Sequence, residues 1–135
     1  MATFQKFDSF VAAVANGAHK LGTDQIMVAL TNTPPVAGNT ILANIAEISY
    51  TNLSSRIVTL TSSAQLNGLY KLILADLVLT ASGAVGPFRY VVLYNNSATN
   101  KELIAWADYA SSISLAAGET FTLDFDNVQG VIQIQ

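Results

Sequence analysis

Few side chains in this sequence could do chemistry, and their spacing does not assemble a reaction centre. The single histidine, His19, stands beside Lys20. A nucleophilic triad would set it against an activated serine and a carboxylate, but no Gly-x-Ser-x-Gly elbow is present. His19 therefore reads as the residue that ends a helix. Asp124-Phe125-Asp126-Asn127 has the look of a calcium loop, yet the turn glycine and closing glutamate are missing. Alternation along a strand already explains those acids. Asp76, Glu102, Asp108 and Asp124 could be paired for glycoside hydrolysis, but a sequence supplies no carboxylate separation to test. Gly83-x-x-Gly86 lacks the lysine and hydroxyl of a phosphate loop. Tyr90, Tyr94, Trp106 and Tyr109 could stack on a sugar ring. In strands, however, aromatic residues more often anchor a core or an interface, and Trp106 is the leading anchor. No catalytic, metal-binding or cofactor-binding residue is expected.

The elements that would position these groups begin with a helix. Phe4, Phe7, Val11, Val14, Ala18 and Leu21 recur at steps of three and four, which predicts one apolar stripe on a helix over residues 1–22. Thr3 is the expected N-cap, and Gly17 and Gly22 mark the fraying end. The stripe suits a helix packed on its own sheet as well as one docked on a neighbouring chain. Residues 23–135 read as a β-rich body. Gln25–Thr31 is a strand closed by Asn32-Thr33-Pro34-Pro35, and 41–48 is a short helix or loop. Arg56–Thr61 alternates, with Ile57 apart from Val58 and Leu60. Leu69–Ala81 is apolar on both faces, with Asp76 marking a bulge or crossing point. Ser82–Pro87 is a turn. Phe88, Tyr90, Val92 and Tyr94 are expected on one face of a hairpin strand that pairs with 102–109. Ile113 and Leu115 begin a second pair, turned at 116–119, and in 120–126 Phe121, Leu123 and Phe125 point inward. Residues 130–135 form a terminal strand. One helix followed by short strands and frequent turns predicts a mainly β fold: an antiparallel β-sandwich or small barrel, in a single domain over 1–135.

Composition narrows the function. Apolar residues make up 51% of the 135 and charged residues 11%, against about 25% charge in an ordinary domain. Mean hydropathy is +0.41. No run approaches the roughly 18 apolar residues of a spanning helix, so the surplus is expected to lie against other protein chains. A net charge of −3 with scattered bases argues against nucleic-acid partners, and no basic amphipathic face suggests a membrane surface. Lys6 is followed by Asp8, and the apolar run from Phe10 to Ala15 is too short for a secretory leader, so none is expected. Cysteine is absent, which removes disulfides and thiolate sites.

Several stretches also carry a resemblance. Phe-x-x-Phe-x-x-Phe-Val from Phe4 to Val11 and Leu30-Thr31-Asn32-Thr33-Pro34-Pro35-Val36 are similar to small structural proteins of tailed bacteriophages. So are Ile48-Ser49-Tyr50, Leu77–Ala81, Phe88–Asn95 and Ala117–Phe125. The resemblance spans nearly the whole chain by general pattern. It implies a virion component: a capsid decoration (cement) protein made in the host cytoplasm and seated on the outer surface of the head. Its partners would be the major capsid protein and further copies of itself, with a homotrimer suiting a three-fold position. No functional residue carries over. Phe4, Phe7, Val11, Val14, Tyr90, Tyr94 and Trp106 are the expected packing or interface anchors. The alternative is a tail or fibre adhesion module that binds host glycan through its aromatic residues.

Overall fold

The computed structural model describes residues 3–135; Met1 and Ala2, where the expected helix would begin, lie outside the described residues. In chain order the elements are β1 (Gln5–Lys6), α1 (Asp8–Ala15), β2 (Ile26–Thr31), a 3-10 turn (Leu42–Asn44), β3 (Ile57–Val58), β4 (Leu60–Leu66), β5 (Leu69–Leu74), β6 (Leu77–Thr80), β7 (Val85–Asn95), β8 (Leu103–Leu115), β9 (Thr120–Leu123) and β10 (Ile132–Ile134). The strands form three antiparallel sheets, ordered β1-β8-β7-β2-β3, β10-β5-β4 and β6-β9. Among the described residues no barrel closes, and the fold is a mainly β, sandwich-like one with a single α-helix.

The main core draws on all three sheets. Val28, Leu30, Val91 and Leu93 come from the five-stranded sheet, Leu72, Leu74 and Ile132 from the three-stranded one, and Leu79 and Leu123 from β6 and β9. A second, smaller core contains Phe7, Ala29, Ile45, Val92, Tyr94 and Leu103. Val91 and Val92 are neighbours on β7 yet belong to different cores, so the five-stranded sheet is packed on both faces. The long loop after β2 covers that second face. It is stitched down by Ile48 N–H to Leu30 O (3.0 Å), Leu103 N–H to Thr40 O (3.0 Å) and Asp8 N–H to Ala37 O (3.0 Å). Two-sided burial is the reason β7 reads as a continuous apolar run.

The helix departs most from expectation. α1 covers only Asp8–Ala15, and Gln5–Lys6 is instead a strand paired with Trp106 and Ala105 of β8. Phe7, not Thr3, stands at the N-cap, with extended backbone and no side-chain cap. An extended chain sends residues three apart to opposite faces. Phe4 therefore packs against the main core while Phe7 enters the second one. Val14 packs against the main core, but Val11 is 64% exposed, and the helix is anchored by Phe10, which lies outside the expected stripe. The stop signal holds: Gly17 takes φ +80°, and Gly17 and Ala18 donate back to Val14 O and Ala13 O, a Schellman closure.

Three further corrections concern strands. Register shifts at Val85/Phe88, Phe88/Tyr90 and Leu93/Tyr94 break the alternation of β7. Phe88 consequently joins Val91 and Leu93 in the main core, while Val92 and Tyr94 face the second. β8 runs unbroken to Leu115, and β9 pairs with β6, not with 113–115. Val85–Pro87, read as turn, already belongs to β7. The 69–81 run is split at Ala75-Asp76, where the chain crosses between sheets. Asp76 Oδ1 accepts from Phe125 N–H at 2.9 Å, which gives the carboxylate its reason for standing there.

Candidate functional site

β4 and β5 form a hairpin through Asn67-Gly68, both at positive φ (54° and 82°), the geometry of a type I′ turn. Period-two alternation turns Leu72 and Leu74 into the main core, with Tyr70 packed against it. The opposite face carries Leu69, Lys71 and Ile73, in register with Leu66, Ala64 and Ser62 of β4. These residues line a shallow groove of about 460 Å³. Leu66 is 76% exposed, the most open large apolar side chain among the described residues. Lys71, whose Nζ donates to Val128 O at 3.3 Å, is the single charge on this face. β4 is also the edge of its sheet, and its sequence Leu-Thr-Ser-Ser-Ala-Gln-Leu holds neither charge nor proline. Natural edge strands are blunted by charge, proline, a bulge or a covering segment, because unpaired N–H and C=O groups recruit another strand. In β4 the one irregularity falls at its start, between Leu60 and Ser62. The sequence reading missed this face, although the Asn-Gly pair and the 69–74 alternation were there to be read.

The expected anchors are dispersed. Tyr94 is buried in the second core, its hydroxyl 3.7 Å from Met27 Sδ. Trp106 packs on Phe7 with ring centroids 4.6 Å apart. Tyr90 is buried, with the Arg89 guanidinium 5.3 Å from its ring centre. Arg89 in turn makes a two-pronged pair with Asp108 (2.7 and 3.0 Å) that holds the Asp108 carboxyl below its ordinary range. Tyr109 turns the other way, against Phe121 and the main core, where burial and then the Asp124 charge push its hydroxyl up to about 12. Tyr90, Tyr94, Trp106 and Tyr109 thus do not form one sugar-stacking platform.

The residues with chemical potential are placed as follows. Asp126 Oδ1 accepts from Val128 and Gln129 N–H (2.9 and 2.8 Å), so this acid shapes the turn before β10. Among the described residues, no three His, Asp or Glu side chains are grouped to hold a metal ion. His19 is 7% exposed and lies past the end of α1, with Phe10 against its ring at 5.2 Å. Its Nδ1 meets Asn95 Nδ2 at 3.1 Å, and Asn95 Nδ2 also reaches Asp24 Oδ2 at 2.7 Å. Among the described residues, His19 Nε2 and Glu102 Oε2 are buried and have no partner. Desolvation lowers the His19 pKa, against the pull of the Glu102 and Asp24 charges. Beside this network lies a cleft of about 260 Å³ between residues 17–24 and 97–102. The chain matches no known protein-family model, no curated protein and no solved structure.

Proposed function

We propose that this chain is an assembly protein that binds other protein subunits through the outer face and open edge of β4–β5. The observation that carries this reading is an edge strand with neither charge nor proline, continuous with an apolar face headed by Leu66. The more specific proposal is a decoration protein on the outer surface of a bacteriophage head, and it rests on the sequence resemblance. Such a protein binds the assembled shell and not its unfolded subunits, so mass action raises particle stability. Its partners are the major capsid protein and its own copies, as a homotrimer at three-fold positions. The glycan reading drew its support from Tyr90, Tyr94, Trp106 and Tyr109, and that support is weakened because Tyr90 is buried, Tyr94 and Trp106 pack in the second core and Tyr109 packs against the main one.

Cryo-electron microscopy of purified particles containing the chain tests the proposal. Density for it on the outer head surface is expected, with the β4–β5 face turned toward protein. Density confined to the tail, or none on the particle, would overturn the decoration reading. Sedimentation velocity on the isolated chain checks self-association, with a strictly monomeric species counting against the homotrimer.

A further inference from the structure

We propose that His19 is an acid-released latch pinning the segment after α1 to the end of β7. The argument starts from Asn95, which is fully buried. Its Oδ1 accepts from the backbone N–H groups of Ser97 (3.0 Å) and Ala98 (3.1 Å), so the carbonyl end of the amide is committed to the turn. Its Nδ2 must then face His19 Nδ1 and Asp24 Oδ2. An amide flip would forfeit both backbone bonds and turn a carbonyl oxygen onto a carboxylate. Asp24 is itself fixed, because Oδ2 also accepts from Lys20 N–H at 2.9 Å. His19 Nδ1 therefore has to accept, and the proton of the neutral ring sits on Nε2.

A second proton would go on Nδ1 and set one N–H against another. The latch cannot hold in that form. Nε2 offers no compensation, since it is buried without a partner among the described residues. The groups around the ring are few. The Glu102 and Asp24 carboxylates favour the charged form, Lys20 follows in the chain, and the Tyr70 hydroxyl on the neighbouring β5 wall is engaged with Ser63 Oγ at 2.7 Å. The Phe10 ring adds no charge. Burial outweighs the two carboxylates, so the ring takes its proton by leaving the site. Below the ordinary histidine value of 6.5 a detached segment binds a proton that the latched ring refuses. Latch stability is therefore complete above that pH and declines as the pH falls toward the ring's own lowered value. Release removes one of the two side-chain bonds that tie residues 17–24 to Asn95, leaving that of Asp24, and loosens the cleft between 17–24 and the 95–101 turn.

Hydrogen exchange of the whole chain between pH 7.5 and 5, corrected for intrinsic rates and read beside imidazole ¹⁵N shifts, tests this. The neutral ring should show the Nε2–H tautomer. Protection over 17–24 and 95–101 should fall by up to about tenfold per pH unit below 6.5 while β5 and β7 keep theirs, the signature of one linked proton. His19→Gln places an amide acceptor that does not titrate, and its protection should stay flat with pH. Should that variant fail to fold, Glu102→Gln removes a charge that favours imidazolium and should move the midpoint to lower pH. An Nδ1–H tautomer, a protection loss in wild type that ignores the His19 titration, or an unmoved midpoint in Glu102→Gln would overturn the latch.

Discussion

Phe7 is a side chain whose place follows from the backbone before it, not from its spacing in a helix. Because β1 precedes the helix, Phe7 leaves the extended segment on the far side of the five-stranded sheet from Phe4 and fills the second core against Trp106. Truncating a fully buried Phe costs about 3–5 kcal/mol, so Phe7→Ala should lower the melting temperature sharply. Val11→Ala, on the 64% exposed side of α1, should stay within about 0.5 kcal/mol of wild type. Thermal melts of the two variants decide between the packing found here and a continuous apolar stripe, under which both would be costly. The sequence could not make this distinction. Phe residues at 4, 7 and 10 fit a helical face, and only the pairing of Gln5–Lys6 with residues a hundred positions away fixes the extended form. His19 reads as the residue that ends a helix over 1–22, but α1 stops at Ala15 and leaves it past the end, and its bond to Asn95 depends on a turn 76 residues downstream that left no local signal.

The elements were legible where alternation is clean and opaque where it is interrupted. β9 alternates without a break, and Leu123 is buried as its pattern requires. β7 was legible as a strand, but its register shifts reassign Phe88 to the other face, and one extra residue is enough to reverse an inside–outside reading. The partner of β9 was hidden for a different reason: it pairs with β6, 40 to 46 positions earlier, and nothing in either strand names the other. Turns offer a sharper test. Gly68 and Gly130 share a left-handed backbone, at φ +82° and +80°. A side chain there costs about 1–2 kcal/mol from the backbone alone. A Cβ at Gly68 would meet open space, whereas one at Gly130 would stand 2.7 Å from Leu72 O, which also accepts from Val131 N–H. Gly130→Ala should therefore destabilise clearly more than Gly68→Ala. Urea midpoints measured at equal slope would show it, and equal losses would mean that the Gly130–Leu72 approach is looser than described.

For the whole molecule, the question is where the apolar surplus resides. Composition alone sent it to the surface of an assembly, but a large part is inside, because packing both faces of one sheet gives a short chain two cores. Of what remains outside, Val11, Val36 and Val128 stand on other segments, and the most open side chain, Leu66, edges the grooved β4–β5 face. If other subunits dock there, Leu66→Glu should leave the isolated fold within about 0.5 kcal/mol of wild type, since the residue is already in water. Burying one leucine at an interface is worth about 1.5–3 kcal/mol, which corresponds to roughly a tenfold to hundredfold loss in affinity. Val36→Glu serves as the control, because Val36 is 58% exposed but sits in the loop between β2 and β3, away from β4–β5. The expected pattern is unchanged melts for both variants, with particle binding and self-association weakened only by Leu66→Glu. Equal binding for wild type and Leu66→Glu would remove the β4–β5 face as the docking surface. Weakened binding for Val36→Glu alone would move the interface to the opposite side of the sandwich, onto the loop that seals the second core.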